Sequence, residues 1–278
     1  MQRLFSLLLL LLLTLPAAAQ TLKFGRLNPA GANYTTASGL NNKGIVVGSF
    51  GAPGKQLRGF SYNVATKTYT TLNFPGSLAT IAMAINDQGR VAGTFLDTTG
   101  ASHGFFFQNG HYTQYDLHKD EGTGVFGINA QGDFAGFSGA NGAYSGLVSI
   151  GGKATTFTID GNATEAYAVN SHHSVVGFFV DPAFTGTHGF LRDENGKVTQ
   201  LDFPGSNSGG ATDITDDGII TGFYEDASGN IHGYIYSNGK FHSHDVQYIS
   251  GINDHHAFAG SLIGKDGLTY GFLARPVQ

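Results

Sequence analysis

The residues in this chain best suited to chemistry are three acid and histidine pairs, Asp97 with His103, Asp181 with His188 and Asp226 with His232. Carboxylates and imidazoles gathered around a concavity can bind sugar hydroxyls or a cation, or move a proton. The plainer alternative is that each His holds its own hairpin or the adjoining loop by hydrogen bonds. Asp213 is the seventh candidate, because the five equivalent segments carry Gly or Ala at its position: Gly39, Ala84, Gly127, Ala168 and Gly251. A carboxylate placed there needs a partner, water or a ligand. His242 with His244, His172-His173 and His255-His256 could contribute to a transition-metal site, but the spacing offers no third ligand. No metal site is therefore expected from them. Gly100-Ala101-Ser102-His103-Gly104 fits G-x-S-x-G without the strand-to-helix elbow that motif needs, and Gly122 to Gly127 fits G-x-G-x-x-G with no helix to receive a phosphate. No cofactor is implied, and calcium is supported by no loop motif.

The elements that must position these residues come from a sixfold repeat. A Gly recurs at Gly48, Gly93, Gly136, Gly177, Gly222 and Gly260, and a second Gly follows 10 to 12 residues later, with an aromatic residue or leucine after it. Seven residues before the first Gly stands Asn41, Asn86, Asn129, Asn170 or Asn253, with Thr215 in the fifth repeat. Successive repeats start 45, 43, 41, 45 and 38 residues apart, the range in which periodicity denotes a propeller or solenoid.

Repeat five can be read as four strands, Ala211 to Ile214, Ile219 to Tyr224, Ile231 to Tyr236 and Lys240 to Val246, separated by Asp-Gly and Asn-Gly turns. Six such units predict an all-β, six-bladed propeller with four antiparallel strands per blade and the strand before each Asn beside the channel. The last repeat lacks a fourth strand, and Leu22 to Asn28 resembles one, so the N-terminal strand is expected to close the ring and remove an edge. The loops that carry the acid and His pairs then share the channel mouth with the loops joining successive repeats.

Residues 1–19 read as a secretory leader: Arg3, then Leu7 to Leu15, then Ala17-Ala18-Ala19. The apolar run is too short for a membrane span, and none follows. Residues 20–278 are expected to form one exported domain, periplasmic or extracellular. The net charge is −5, with 11 His, 42 Gly and no Cys. Disulfides are excluded, and so is the basic face a nucleic-acid partner needs.

His103-Gly104-Phe105, His188-Gly189-Phe190 and His232-Gly233-Tyr234, joined to Ile85-Asn86 and its equivalents, resemble the bacterial extracellular HAF repeats. Gly stands in place of the family's Ala, and Arg58, Ser145 and Tyr270 replace His in the other three repeats. The resemblance implies an exported repeat protein and says nothing of chemistry. The expected function is a monomeric, non-enzymatic binding module for a glycan or an envelope or secreted protein. A polysaccharide lyase or hydrolase at the channel mouth is the alternative, and a structural surface component is a third reading.

Overall fold

The computed structural model describes residues 22–140, 142–181, 183 and 185–276; the leader expected over residues 1–19 lies outside them. Each repeat folds as an antiparallel meander, because short alternating runs rich in Val, Ile, Phe and Thr are punctuated by turns with a residue at positive φ. Repeat five runs Ser208–Ile214, Ile220–Glu225, Ile231–Ser237 and Lys240–His244, each strand pairing with the next. The expected fourth strand extended to Val246; it ends at His244, before the loop to the next repeat.

The sheets are arranged as a propeller around a central channel, lined by the first strands of all six repeats. Repeats two to five form four separate four-stranded sheets. Six separate sheets are not what the structure shows. Repeats one and six share one eight-stranded sheet, because Tyr34 and Thr269 form a parallel bridge between the first strand of repeat one and the strand Thr269–Pro276. The N-terminal strand Leu22–Leu27 pairs antiparallel with Thr269–Pro276, from Leu22 opposite Pro276 to Leu27 opposite Gly271. No helix among the described residues is long and apolar enough to cross a membrane.

The apolar core is divided into six clusters at the junctions between repeats. One joins Val47 of repeat one to Ala82 and Phe105 of repeat two, and another joins Ala257 and Leu273 of repeat six to Ala37 and Val46 of repeat one. The repeated glycines are explained by this packing. A Cβ on Gly48, Gly93, Gly136, Gly177, Gly222 or Gly260 would lie 1.9–2.2 Å from a carbonyl oxygen of the repeat's own first strand. Phe60, Phe105, Phe190, Tyr234 and Phe272, each following the second Gly of its repeat, lay a ring on the same spot, and all are essentially fully buried. In repeat three Leu147 takes that place.

Candidate functional site

Every first strand carries a β-bulge at the same point, between Ala37 and Gly39, Ala82 and Ala84, Val125 and Gly127, Ala166 and Ala168, Ala211 and Asp213, and Ile249 and Gly251. A bulge inserts one unpaired residue and redirects its side chain. The inserted residues are Ser38, Met83, Phe126, Tyr167, Thr212 and Ser250, and all six line the channel cavity. Three adjacent repeats thus contribute large side chains and the other three small hydroxyl ones.

On one side of this constriction the first strands end in the repeated Asn. Asn41, Asn86, Asn129 and Asn170 each donate from Nδ2 to the carbonyl at the equivalent position of the next repeat, at 3.0–3.2 Å, and Asn253 donates to Asn41 O at 3.1 Å. The same side chains accept, through Oδ1, the backbone N–H four residues on in their own turns, at 2.9–3.0 Å. These Asn residues are buried and satisfied, which accounts for their recurrence. Thr215 has no amide to reach repeat six. There Asp213 Oδ2 accepts the Ile252 N–H at 2.8 Å, and the Asp216 N–H donates to Asp254 Oδ1 at 3.2 Å. Asp213 also accepts the Ile214 N–H at 2.9 Å. Burial beside the narrow channel raises its pKa to about 7 against the pull of those two donors.

The channel space beside these residues is about 110 Å³. Beyond the constriction, at the end holding the loops between repeats, a larger cleft of about 440 Å³ opens between repeats six, one and two. Its lining combines the rings of Tyr34 and Tyr248, the apolar side chains of Leu57, Ile81 and Met83, the amide of Gln247, and the hydroxyls of Thr36, Ser38, Ser49, Ser250, Ser261 and Thr269. Ser38, Met83 and Ser250 belong to both spaces.

Glu165 holds, in repeat four, the register position of Thr36, Ile81 and Tyr248, and of Gly124 and Gly210. It is half-buried, and its carboxyl pKa is raised by desolvation, partly offset by the Tyr167 hydroxyl. The Tyr167 hydroxyl is itself pushed up by burial and by Glu165.

The three acid and His pairs lie in repeats two, four and five, and no hydrogen bond or ion pair among the described residues joins one to another. His103 Nδ1 is 2.8 Å from Asp116 Oδ1, with Asp97 Oδ2 3.5 Å from the other ring nitrogen. His188 Nδ1 lies 2.9 Å from Asp202 Oδ2, so the partner in repeat four is Asp202, while Asp181 turns to Thr185. His232 Nε2 is 3.1 Å from Asp226 Oδ2. Asp97 is held at about 2 chiefly by the Thr99 hydroxyl, Asp181 is lowered by Thr185, and Asp226 is lowered by the Asn230 N–H.

The imidazoles also extend aromatic stacks: Phe74 on Phe95 at 3.7 Å with His103 at 5.0 Å, and Phe203 on Tyr224 at 3.8 Å with His232 at 5.2 Å. Those two stacks clamp the loops that carry Phe74 and Phe203 onto the sheets that follow them. His173 and His256 adopt φ of 61° and 57°, where other turns use Gly, and bond Asp133 at 3.3 Å and Asp217 at 3.0 Å. Among the described residues no three acidic or imidazole groups converge as metal ligands.

No family model and no curated protein sequence matches the chain. Solved structures similar to it in fold include TolB from Acinetobacter baumannii, with TM-score 0.61 and 14% identity over 84% of this chain and 64% of that one. A putative TolB from Agrobacterium tumefaciens gives TM-score 0.62 and 10% identity over 88% and 90%. A lectin from Aleuria aurantia in complex with α-methyl-L-fucoside gives 0.53 and 11% over 86% and 90%. The chain spans less than two thirds of the length of the first of these TolB chains.

Proposed function

We propose that this protein is an exported, non-enzymatic binding module that takes a glycan at the loop end of its channel. The carrying observation is the cleft between repeats six, one and two, where two tyrosine rings and six Ser and Thr hydroxyls surround one space without a charged group among the described residues that line it. A sugar presents an apolar C–H face and a rim of hydroxyls, and such a lining offers a partner to each. The lectin fold likeness supports a binding role, and the leader-like N-terminus and resemblance to HAF repeats support export. We further propose that the shared eight-stranded sheet acts as two blades joined at one bridge, giving a six-bladed ring; the six core clusters favour this.

The test is calorimetric titration of the protein with a panel of soluble polysaccharides, repeated with Tyr248→Ala. At least one polysaccharide should bind, and the variant should weaken it by about 0.5–1.5 kcal/mol, the worth of a stacked ring. Absence of binding across the panel would turn the search to an envelope or secreted protein. One observation favours a lyase or hydrolase, the raised carboxyl of Glu165 beside the Tyr167 hydroxyl. Release of shortened chains from a bound polysaccharide, lost in Glu165→Gln, would establish that reading instead.

A further inference from the structure

We infer that the loop end of the channel selects an amine-bearing saccharide, one whose sugar rings carry a free ammonium group beside their hydroxyls. This deepens the glycan reading and rests on it.

The sheets around that end of the channel fall into two unlike halves. Where the second strands of repeats one, two and six place Ser49, Thr94 and Ser261, those of repeats three, four and five place Phe137, Phe178 and Phe223, opposite Gly124, Glu165 and Gly210. Ser49 and Ser261 line the cleft. The rings meet one another in series: Phe137 and Phe126 at 5.3 Å, Phe126 and Tyr167 at 4.8 Å, Tyr167 and Phe178 at 5.3 Å, then Phe223 and Tyr248 at 5.2 Å. The glycines make the aromatic half possible. A Cβ on Gly124 would sit 2.4 Å from the Phe137 ring, and one on Gly210 would sit 3.1 Å from both Phe178 and Phe223.

Glu165 is the one residue with a carboxylate in that register, flanked in repeats three and five by Gly and paired across its sheet with Phe178. Among the described residues no Lys or Arg lines either channel space, and the charged residues that line the smaller one, at the Asn end, are all acidic: Asp87, Asp213, Asp216 and Asp254. That end of the axis therefore carries negative potential that draws cations into the channel and repels phosphates and uronates. An ammonium beside Glu165 supplies the missing counter-charge and faces the electron-rich rings. The hydroxyl half meets the ligand's own hydroxyls. Thr94 Oγ1, in that half, is the buried side-chain polar atom left without a partner among the described residues.

The test compares, by calorimetry at about pH 6, where an amine remains protonated, a glucosamine oligomer, its N-acetylated counterpart, a galacturonate oligomer and trilysine. The glucosamine oligomer should bind about tenfold more tightly than the acetylated one, the galacturonate oligomer should not bind, and added salt should erode the preference. Glu165→Gln, which keeps shape and removes charge, should abolish the preference. Equal binding of free and acetylated oligomers, or a preference that survives Glu165→Gln, overturns the amine assignment and leaves the glycan reading standing. Binding of trilysine alone overturns both in favour of a basic peptide partner. No binding by any of the four overturns the amine assignment, and the polysaccharide panel then decides the glycan reading separately.

Discussion

Asp213 links repeats five and six through the Ile252 N–H, and its folded pKa of about 7 lies well above the ordinary Asp value of about 3.9. Between those values the folded state holds a proton that the unfolded state has released, so raising the pH removes stability. Melting temperature measured against pH should therefore fall from about pH 4 to about pH 7 in the native protein relative to Asp213→Asn, and the difference should level off above that. A pH-independent difference would contradict the assignment. His188 bonds Asp202 and packs on Phe179 at 5.3 Å. His188→Ala should cost about 1 kcal/mol, read as a fall of about 2–4 °C in melting temperature. The unusual character of Asp213 is legible by aligning the repeats, since it alone breaks a run of Gly and Ala. The same alignment three residues earlier would have exposed Glu165. What hid its importance is the bulge, which breaks the two-residue alternation by which inward and sideways residues are told apart.

In every repeat but the fifth, the Asn at the end of the first strand bonds both its own turn and the next repeat. Asn86→Ala removes the donor to Asn129 O and the acceptor for the Arg90 N–H, and should cost about 2 kcal/mol by leaving buried groups unpaired. Thr215→Asn tests the same element in the opposite direction. It supplies an amide at the one junction without such a bond and should raise the melting temperature; a fall would show that Asp213 already leaves no room for the link. Gly177→Ala would force a Cβ to within 2.0 Å of Glu165 O and 2.9 Å of Phe190, and should destabilise by more than about 2 kcal/mol, measured by chemical denaturation. The repeat makes the strands and the Gly-aromatic core legible from sequence, because those residues meet the same neighbours every time. The His partners Asp116 and Asp202 were less legible, being set by pairing across to the fourth strand rather than by nearness along the chain.

For the molecule as a whole, closure depends on Leu22–Leu27 lying against Thr269–Pro276. Deleting that strand should strip Thr269–Pro276 of its antiparallel partner and shift the protein towards self-association, measured by light scattering. The pairing of the two ends could be anticipated from a missing fourth strand, whereas the fusion of repeats one and six could not, since it turns on the Tyr34–Thr269 bridge, which has no counterpart in the repeat. Nor could the division of the sheets around the channel into aromatic and hydroxyl halves be seen before the register was known. That closing pair joins segments about 250 residues apart, a separation that makes its contact slow to form. The described strand made earliest must wait for the described strand made last, so a nascent chain keeps open edges until Thr269–Pro276 has been made, and a helper that shields such edges would act on this protein until that moment.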